Sequence, residues 1–266
     1  MSVFDELGDG VYRRRYESLD LNIGVVIGAE AILLVDSRAS HRQADQLRDE
    51  LRNLTDLPVG WVVNTHFHWD HTWGNARFPE AALWGHERCR NEMIENGEAA
   101  RQRVLDWIPA EHHDAVNEVA ITPPTKTFST SAMLDIGGRV VELRHHGLGH
   151  TNSDIVVRVQ DAGVLFAGDL LEEGAPPSFG DSYPLSWAET LDSIRLEATV
   201  VPGHGDLVDA AFVITQQDEI EGIADAARAG YSEGTPLESL IEHGPYPKEP
   251  MRLALTRAYA QLAAGI

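Results

Sequence analysis

The stretch N-T-H-F-H-W-D-H-T-W-G-N, residues 64–75, places three histidines and one aspartate within six positions: His66, His68, Asp70 and His71. It begins where G-W-V-V-N-T, a short apolar run read as a buried strand, comes to its end. At the end of an extended segment, residues i and i+2 point to the same side. His66 and His68 can therefore grip one ion together. Asp70 and His71 follow the turn and can aim at a second ion nearby. Neutral imidazole and carboxylate suit zinc, and also iron or manganese. The plainer reading is a polar loop that happens to be rich in histidine, and the rest of the chain must separate the two.

Outward from this stretch, the pattern alternates between strand and helix. Upstream, G-V-Y-R-R-R-Y-E, N-I-G-V-V-I-G and A-I-L-L-V-D are short, β-rich and divided by Gly, Asp and Glu, with a hairpin turn around Gly28 to Glu30. Ala44, Leu47, Leu51 and Leu54 recur at helical spacing over residues 40–54, and Pro58 follows the end. Downstream, A-A-L-W-G predicts a strand, and residues 86–117 predict a helix with breaks at Gly97 and Pro109. Pro123-Pro124 marks a boundary. T-K-T-F-S, A-M-L-D-I and R-V-V-E-L-R-H-H then predict strands, the last two joined by Gly137-Gly138. D-I-V-V-R-V-Q and G-V-L-F-A-G-D predict another hairpin, turning at Asp161 to Gly163. Residues 172–186 read as an irregular loop, Ser186 to Arg195 as a helix and T-V-V-P as a strand. From Leu207 the chain reads as helical, with a break around Gly244 to Pro247. Two groups of strands with helices between and after them predict a sheet-on-sheet sandwich with outer helices.

Composition narrows the function classes. The 266 residues can bury a sizeable core. Acidic residues outnumber basic ones, 42 to 21, for a formal charge of −21. Such a surface repels phosphate backbones, so nucleic acid is not the expected partner. No apolar run approaches the roughly 20 residues that span a bilayer, and no membrane association is expected. The acidic start M-S-V-F-D-E-L lacks a signal-peptide pattern. Cys89 is the sole cysteine, which excludes an intrachain disulfide and leaves any metal site to nitrogen and oxygen. A cytoplasmic location is the default expectation.

Three further residues stand beside glycine at predicted strand ends: His150 in G-L-G-H-T-N-S-D, Asp169 in L-F-A-G-D and His204 in V-V-P-G-H-G-D. With H-F-H-W-D-H, these elements resemble the metallo-β-lactamase superfamily in motif, order and spacing, over roughly residues 10 to 210. The resemblance implies an α+β fold, an αββα four-layer sandwich of two mixed sheets flanked by helices. It implies one such domain over residues 1–206, with residues 207–266 as a helical extension packed on it. It also implies that His66, His68 and His150 bind one metal, that Asp70, His71 and His204 bind a second, and that Asp169 bridges them. Two zinc ions per chain are expected, with iron or manganese also suited.

The function implied is a dinuclear metallohydrolase. A metal-bridged hydroxide would cleave an ester, thioester, lactone or amide of a small molecule, and Asp70 would orient that hydroxide or take its proton. An aspartate at position 169 is similar to the glyoxalase-II-like branch, whereas true β-lactamases of the superfamily carry Cys or Ser there. Lactonases that act on quorum signals commonly have a Tyr soon after this aspartate, and D-L-L-E-E lacks one. The same letters also fit a mononuclear-iron persulfide dioxygenase with His66, His150 and Asp169 as ligands. A third reading is a catalytically silent metal-binding relative. Trp69, Phe179, Tyr183 and Trp187 are candidates for an apolar substrate wall, or for packing the loop onto the sheet. His86 is expected to pack. His145 or His146 is a candidate to support a ligand, and His41, His112, His113 and His243 are expected to be exposed. The sequence says nothing of the oligomeric state.

Overall fold

The computed structural model describes residues 3–194 and 199–265. Its first half runs β1 (Asp5–Gly8), β2 (Val11–Tyr16), β3 (Leu21–Ile27), β4 (Ile32–Val35), α1 (His41–Leu54), β5 (Val59–Val63), the single-turn α2 (Trp69–Thr72), β6 (Ala82–His86), α3 (Glu87–Trp107), α4 (His113–Asn117) and β7 (Lys126–Phe128). The second half runs β8 (Ser131–Asp135), β9 (Val140–Arg144), β10 (Val156–Val159), β11 (Val164–Glu172), α5 (Pro184–Asp192), β12 (Thr199–His204), α6 (Ala210–Glu233), α7 (Leu237–Ile241) and α8 (Lys248–Ala264).

Hydrogen bonding links the strands in the order β7-β6-β5-β4-β3-β12-β11-β10-β9-β8, with β2 on β3 and β1 on β2. The β4–β7 ladders and the β11–β12 ladder are parallel, and the others are antiparallel. Both halves are therefore mixed. They join as one folded-over sheet, because β12 meets β3 through one paired position, His204 with Leu21. The two sheets expected from the sequence are continuous at this seam.

Alternation of side chains builds the layers. All four residues of β4 are buried. Leu33 and Val35 face the opposing half, among Val63, Leu143, Val157 and Phe166. Ile32 and Leu34 face outward, onto Ala44, Leu47 and Leu51 of α1. Strand β11 repeats the device: Val164 and Phe166 enter the inter-sheet core, while Leu165 and Ala167 meet the outer helices. A strand covered on both faces reads as a continuous apolar run. Ile220, Ile223, Ala254 and Leu255 of α6 and α8 complete that outer layer. The architecture is the four-layer αββα sandwich. No described helix is long and apolar enough to cross a membrane.

Some boundaries differ from the sequence reading. Helix α3 runs unbroken through Gly97, which sits where a Cβ would meet Ile121 Cδ1 at 3.1 Å. The glycine there serves a close approach, outweighing its cost of about 1 kcal/mol in a helix. Helix α5 begins two residues before Ser186 and ends at Asp192, and Arg195, its expected end, lies outside the described residues. The C-terminal helices are broken at Gly234 as well, a left-handed cap with φ of 71°.

Candidate metal centre

Four segments converge at the seam. The loop after β5 carries His66, His68, Asp70 and His71, the loop before β10 carries His150, β11 carries Asp169 and the end of β12 carries His204. Their donor atoms form two groups, His66, His68, His150 and Asp169, and Asp70, His71 and His204; within each group they lie within 4.8 Å of one another. Asp169 joins the groups. Its Oδ2 is 3.6 Å from His66 Nε2 and 3.5 Å from His150 Nε2. Its Oδ1 is 3.1 Å from His71 Nε2 and 3.5 Å from His204 Nε2. Asp70 Oδ2 closes the second group, 3.4 Å from His204 Nε2 and 3.6 Å from His71 Nε2.

Each imidazole is held from behind. His71 Nδ1 lies 2.8 Å from Asp36 Oδ2, His204 Nδ1 lies 2.7 Å from the Leu19 carbonyl, and His150 Nδ1 lies 3.0 Å from the Ser178 carbonyl. His68 turns the other way, with Nε2 3.1 Å from Asp181 Oδ2. His66 Nδ1 is 3.1 Å from Thr65 Oγ1, whose proton goes to Asp36 Oδ2. These partners are acceptors, so each outer nitrogen donates and each inner nitrogen presents a lone pair to the centre. Such outer contacts fix tautomer and ring orientation in metal sites.

The inward atoms then lack partners of their own kind. His66 Nε2 and Asp169 Oδ1 are buried with no hydrogen bond. His68 Nδ1 faces His150 Nε2 at 2.9 Å, and His71 Nε2 faces His204 Nε2 at 3.3 Å. Apposed lone pairs repel unless a proton or a cation lies between them. Five imidazoles and two carboxylates, with no thiolate, form a donor set that fits divalent cations such as zinc, iron or manganese.

Electrostatics differ between the groups. Burial pushes His66 well below its ordinary pKa and His150 down to about 4, so both are neutral. For His71, burial is outweighed by Asp169, Asp70 and Asp36, and its pKa rises well above the usual value. His204 rises likewise, as Asp169 and Asp70 outweigh burial. The carboxyls of Asp169 and Asp70 are held low against burial, with His71 and His204 beside them. Without metal, protons on His71 and His204 stand in for the cation.

Glycine makes the convergence possible. A Cβ at Gly203 would lie 1.8 Å from Asp169 Oδ1, and Gly168 adopts a φ of +55° against Thr65. The Asn22 amide donates to the carbonyls of Pro202 and Gly205, holding the turn that carries His204.

All seven predicted ligands are brought together, and the predicted aromatic wall is not. Phe179 and Trp187 are fully buried, packed ring on ring at 5.5 Å. The Trp187 indole donates to the Leu170 carbonyl at 3.2 Å. These two residues fasten the loop to the outer helices and have no free face for substrate. Tyr183 is half-buried beneath Arg257, and Trp69 is half-buried at the mouth. His86 packs as expected, with Nε2 2.9 Å from the Ser129 carbonyl. His145 reaches the Asp154 carbonyl rather than a ligand, and His41 and His113 are half-buried rather than exposed. Asp36 and Asp181 escaped the sequence reading. Asp36 had a legible signal, an acid closing the buried run I-L-L-V. Asp181 had none, since the loop 173–183 has no periodicity.

Comparison with known proteins agrees with this geometry. Residues 19–204 match the family model described as metallo-beta-lactamase superfamily. The chain is 24% identical over 255 residues to a linear primary-alkylsulfatase of Pseudomonas sp. (strain ATCC 19151), covering 80% of this chain and 48% of the relative. It thus spans about half the length of that enzyme. It is 26% identical over 232 residues to the acyl-coenzyme A thioesterase MBLAC2 of Gallus gallus, covering 77% of this chain and 80% of the relative. Among solved structures, a mutant of the sec-alkyl sulfatase PisA1 superposes with a TM-score of 0.77 at 15% identity, over 100% of this chain and 50% of that one. A metallo-beta-lactamase from Pontibacter korlensis gives 0.64 at 19% identity, over 82% of this chain and 98% of the other.

Proposed function

This chain belongs to the metallo-beta-lactamase superfamily, and we propose that it is a hydrolase with two divalent metal ions, zinc first among them, that cleaves an ester, thioester, lactone or amide of a small molecule. The observation that carries this reading is the placement of Asp169, with one carboxylate oxygen toward His66 and His150 and the other toward His71 and His204. That arrangement suits one ion on each side. His66, His68 and His150 would hold the first, Asp70, His71 and His204 the second, and Asp169 would bridge them. What bound cations supply is Lewis acidity, which lowers the pKa of water toward neutrality and polarises a carbonyl.

The chain's own groups do the rest. Outer hydrogen bonds keep the imidazole lone pairs aimed inward. Asp70 is the more open carboxylate, its side chain 12% exposed against 6% for Asp169. Its depressed pKa keeps it ionised, so it accepts a hydrogen bond from the attacking water and orients it. The relatives named as thioesterase and alkylsulfatase support hydrolysis as the class. A charge of −21 favours a small-molecule substrate over nucleic acid. On this reading, residues 207–266 extend the single domain of residues 1–206.

Metal content of the purified protein, followed by a panel of esters, thioesters, lactones and amides with zinc, manganese and iron in turn, tests the proposal. Two metals per chain and turnover lost in both His66→Ala and Asp70→Ala are expected. One iron per chain, with oxygen consumed on a persulfide, would replace hydrolysis by the dioxygenase reading.

A further inference from the structure

A cleft of about 290 Å³ opens beside the metal centre, between the end of α3 and the loop before β3. Leu19, Trp69, Trp107, Ile108, Pro109 and Val116 form its apolar wall, Ser18, Ser40, Gln43 and His112 add polar groups, and no Asp, Glu, Lys or Arg lines it. Trp107 is 70% exposed, its ring centroid 6.3 Å from that of Trp69 in an edge-to-face arrangement. A large indole left in water beside another marks a binding surface more often than a packing one.

One covalent link and one hydrogen bond tie the cleft to the chemistry. Trp69 stands between the ligand positions His68 and Asp70, and the Leu19 carbonyl accepts from His204 Nδ1. Asp70, His204 and His68 are also open to solvent, with side chains 12%, 14% and 21% exposed, while His66, His71 and His150 are sealed. Trp69 and Leu19 thus link the cleft wall to two side chains that solvent reaches. Its volume suits one limb of a ligand rather than a whole drug-sized molecule.

We propose that this cleft holds an uncharged aliphatic chain of the substrate while the bond to be cleaved lies at Asp70 and His204. The identity of the reacting group rests on the hydrolase reading, but chain binding does not. Against the apolar part of the wall each buried CH₂ contributes about 0.8 kcal/mol.

Two measurements on zinc-loaded protein test it separately from catalysis. In calorimetric titrations, octanoate should bind at least tenfold tighter than butanoate, and Trp107→Ala should remove most of that ratio while Trp107→Phe retains much of it. In turnover of p-nitrophenyl octanoate and butanoate, the ratio of kcat/KM should favour octanoate in the same manner. Trp107 is exposed, so its replacement leaves the fold intact, which circular dichroism would verify. Ester hydrolysis with no chain-length preference would overturn the cleft assignment and spare the hydrolase. Chain-dependent binding of octanoate without turnover of any ester would do the reverse. Chain-length ratios equal in wild type and Trp107→Ala would overturn the cleft assignment as well.

Discussion

Asp36 Oδ2 lies 2.8 Å from His71 Nδ1 and takes the Thr65 hydroxyl proton at the same distance. Through Thr65 Oγ1 it also steadies His66. One carboxylate, itself held at φ +67° and 2% exposed, thus sets imidazoles on both sides of Asp169. Its Oδ1 is occupied by the Thr65 backbone N–H at 2.8 Å. Replacing it by Asn puts an amide donor against groups that already donate. Asp36→Asn should weaken metal binding about 10- to 100-fold, measured by competition with a chromogenic chelator. An unchanged affinity would show that the rings are set by packing alone.

Metal loading should release protons near neutral pH from the His71 and His204 pair. Their pKa values in the metal-free protein are raised, so both are protonated at pH 7, while the ligating form is neutral. Affinity should therefore rise with pH until those protons are gone, and fall steeply under acid. His66 and His150 start neutral and add nothing to this release above pH 6.5, their ordinary value. Calorimetry in buffers of different ionisation enthalpy counts the protons. A heat of binding that is the same in every buffer would contradict the assignment.

Gly203→Ala should abolish metal binding with little effect on secondary structure. The new Cβ would have to share space with Asp169 Oδ1, and a carboxylate can swing away more readily than a strand can move. Metals per chain, read by plasma emission spectrometry, should fall toward none. Retention of the metal would mean that β12 can shift to accommodate the methyl.

Trp187→Ala should cost about 3–5 kcal/mol of stability, the range for large aromatic truncations in a core. Trp187 is fully buried, and its ring also flanks that of His150 at 5.8 Å. A drop in thermal midpoint is expected for every substrate condition. A variant of normal stability with a changed KM would instead return Trp187 to the substrate wall.

The candidate ligands were legible because metal chemistry restricts residue type and spacing. The cluster H-F-H-W-D-H leaves few alternatives, and glycine beside His150, Asp169 and His204 marks backbone turns that bring strand ends close. Strand β4 was legible as an apolar run, and its two buried faces followed from alternation. What supports the ligands was not. Asp181 reaches His68 from a loop with no repeating pattern, and Leu19 contributes a carbonyl, which any residue possesses. Phe179 and Trp187 look alike in sequence whether a ring faces a pocket or a core, since only tertiary packing decides which side it shows. The exposed Trp107 was hidden for the converse reason, as it closes a helix whose Cys89, Met93 and Val104 turn inward.

The seam between the sheet halves has a mechanical consequence. Four ligands belong to the half that ends with β7, and three to the half that follows, yet the backbone ladder crosses between them at His204 and Leu21 alone. Cations seated there would add a rivet to two plates that share an apolar core but little strand pairing. Loaded, the molecule should melt at a higher temperature than when stripped of them, because the ions hold the folded plates and not the unfolded chain.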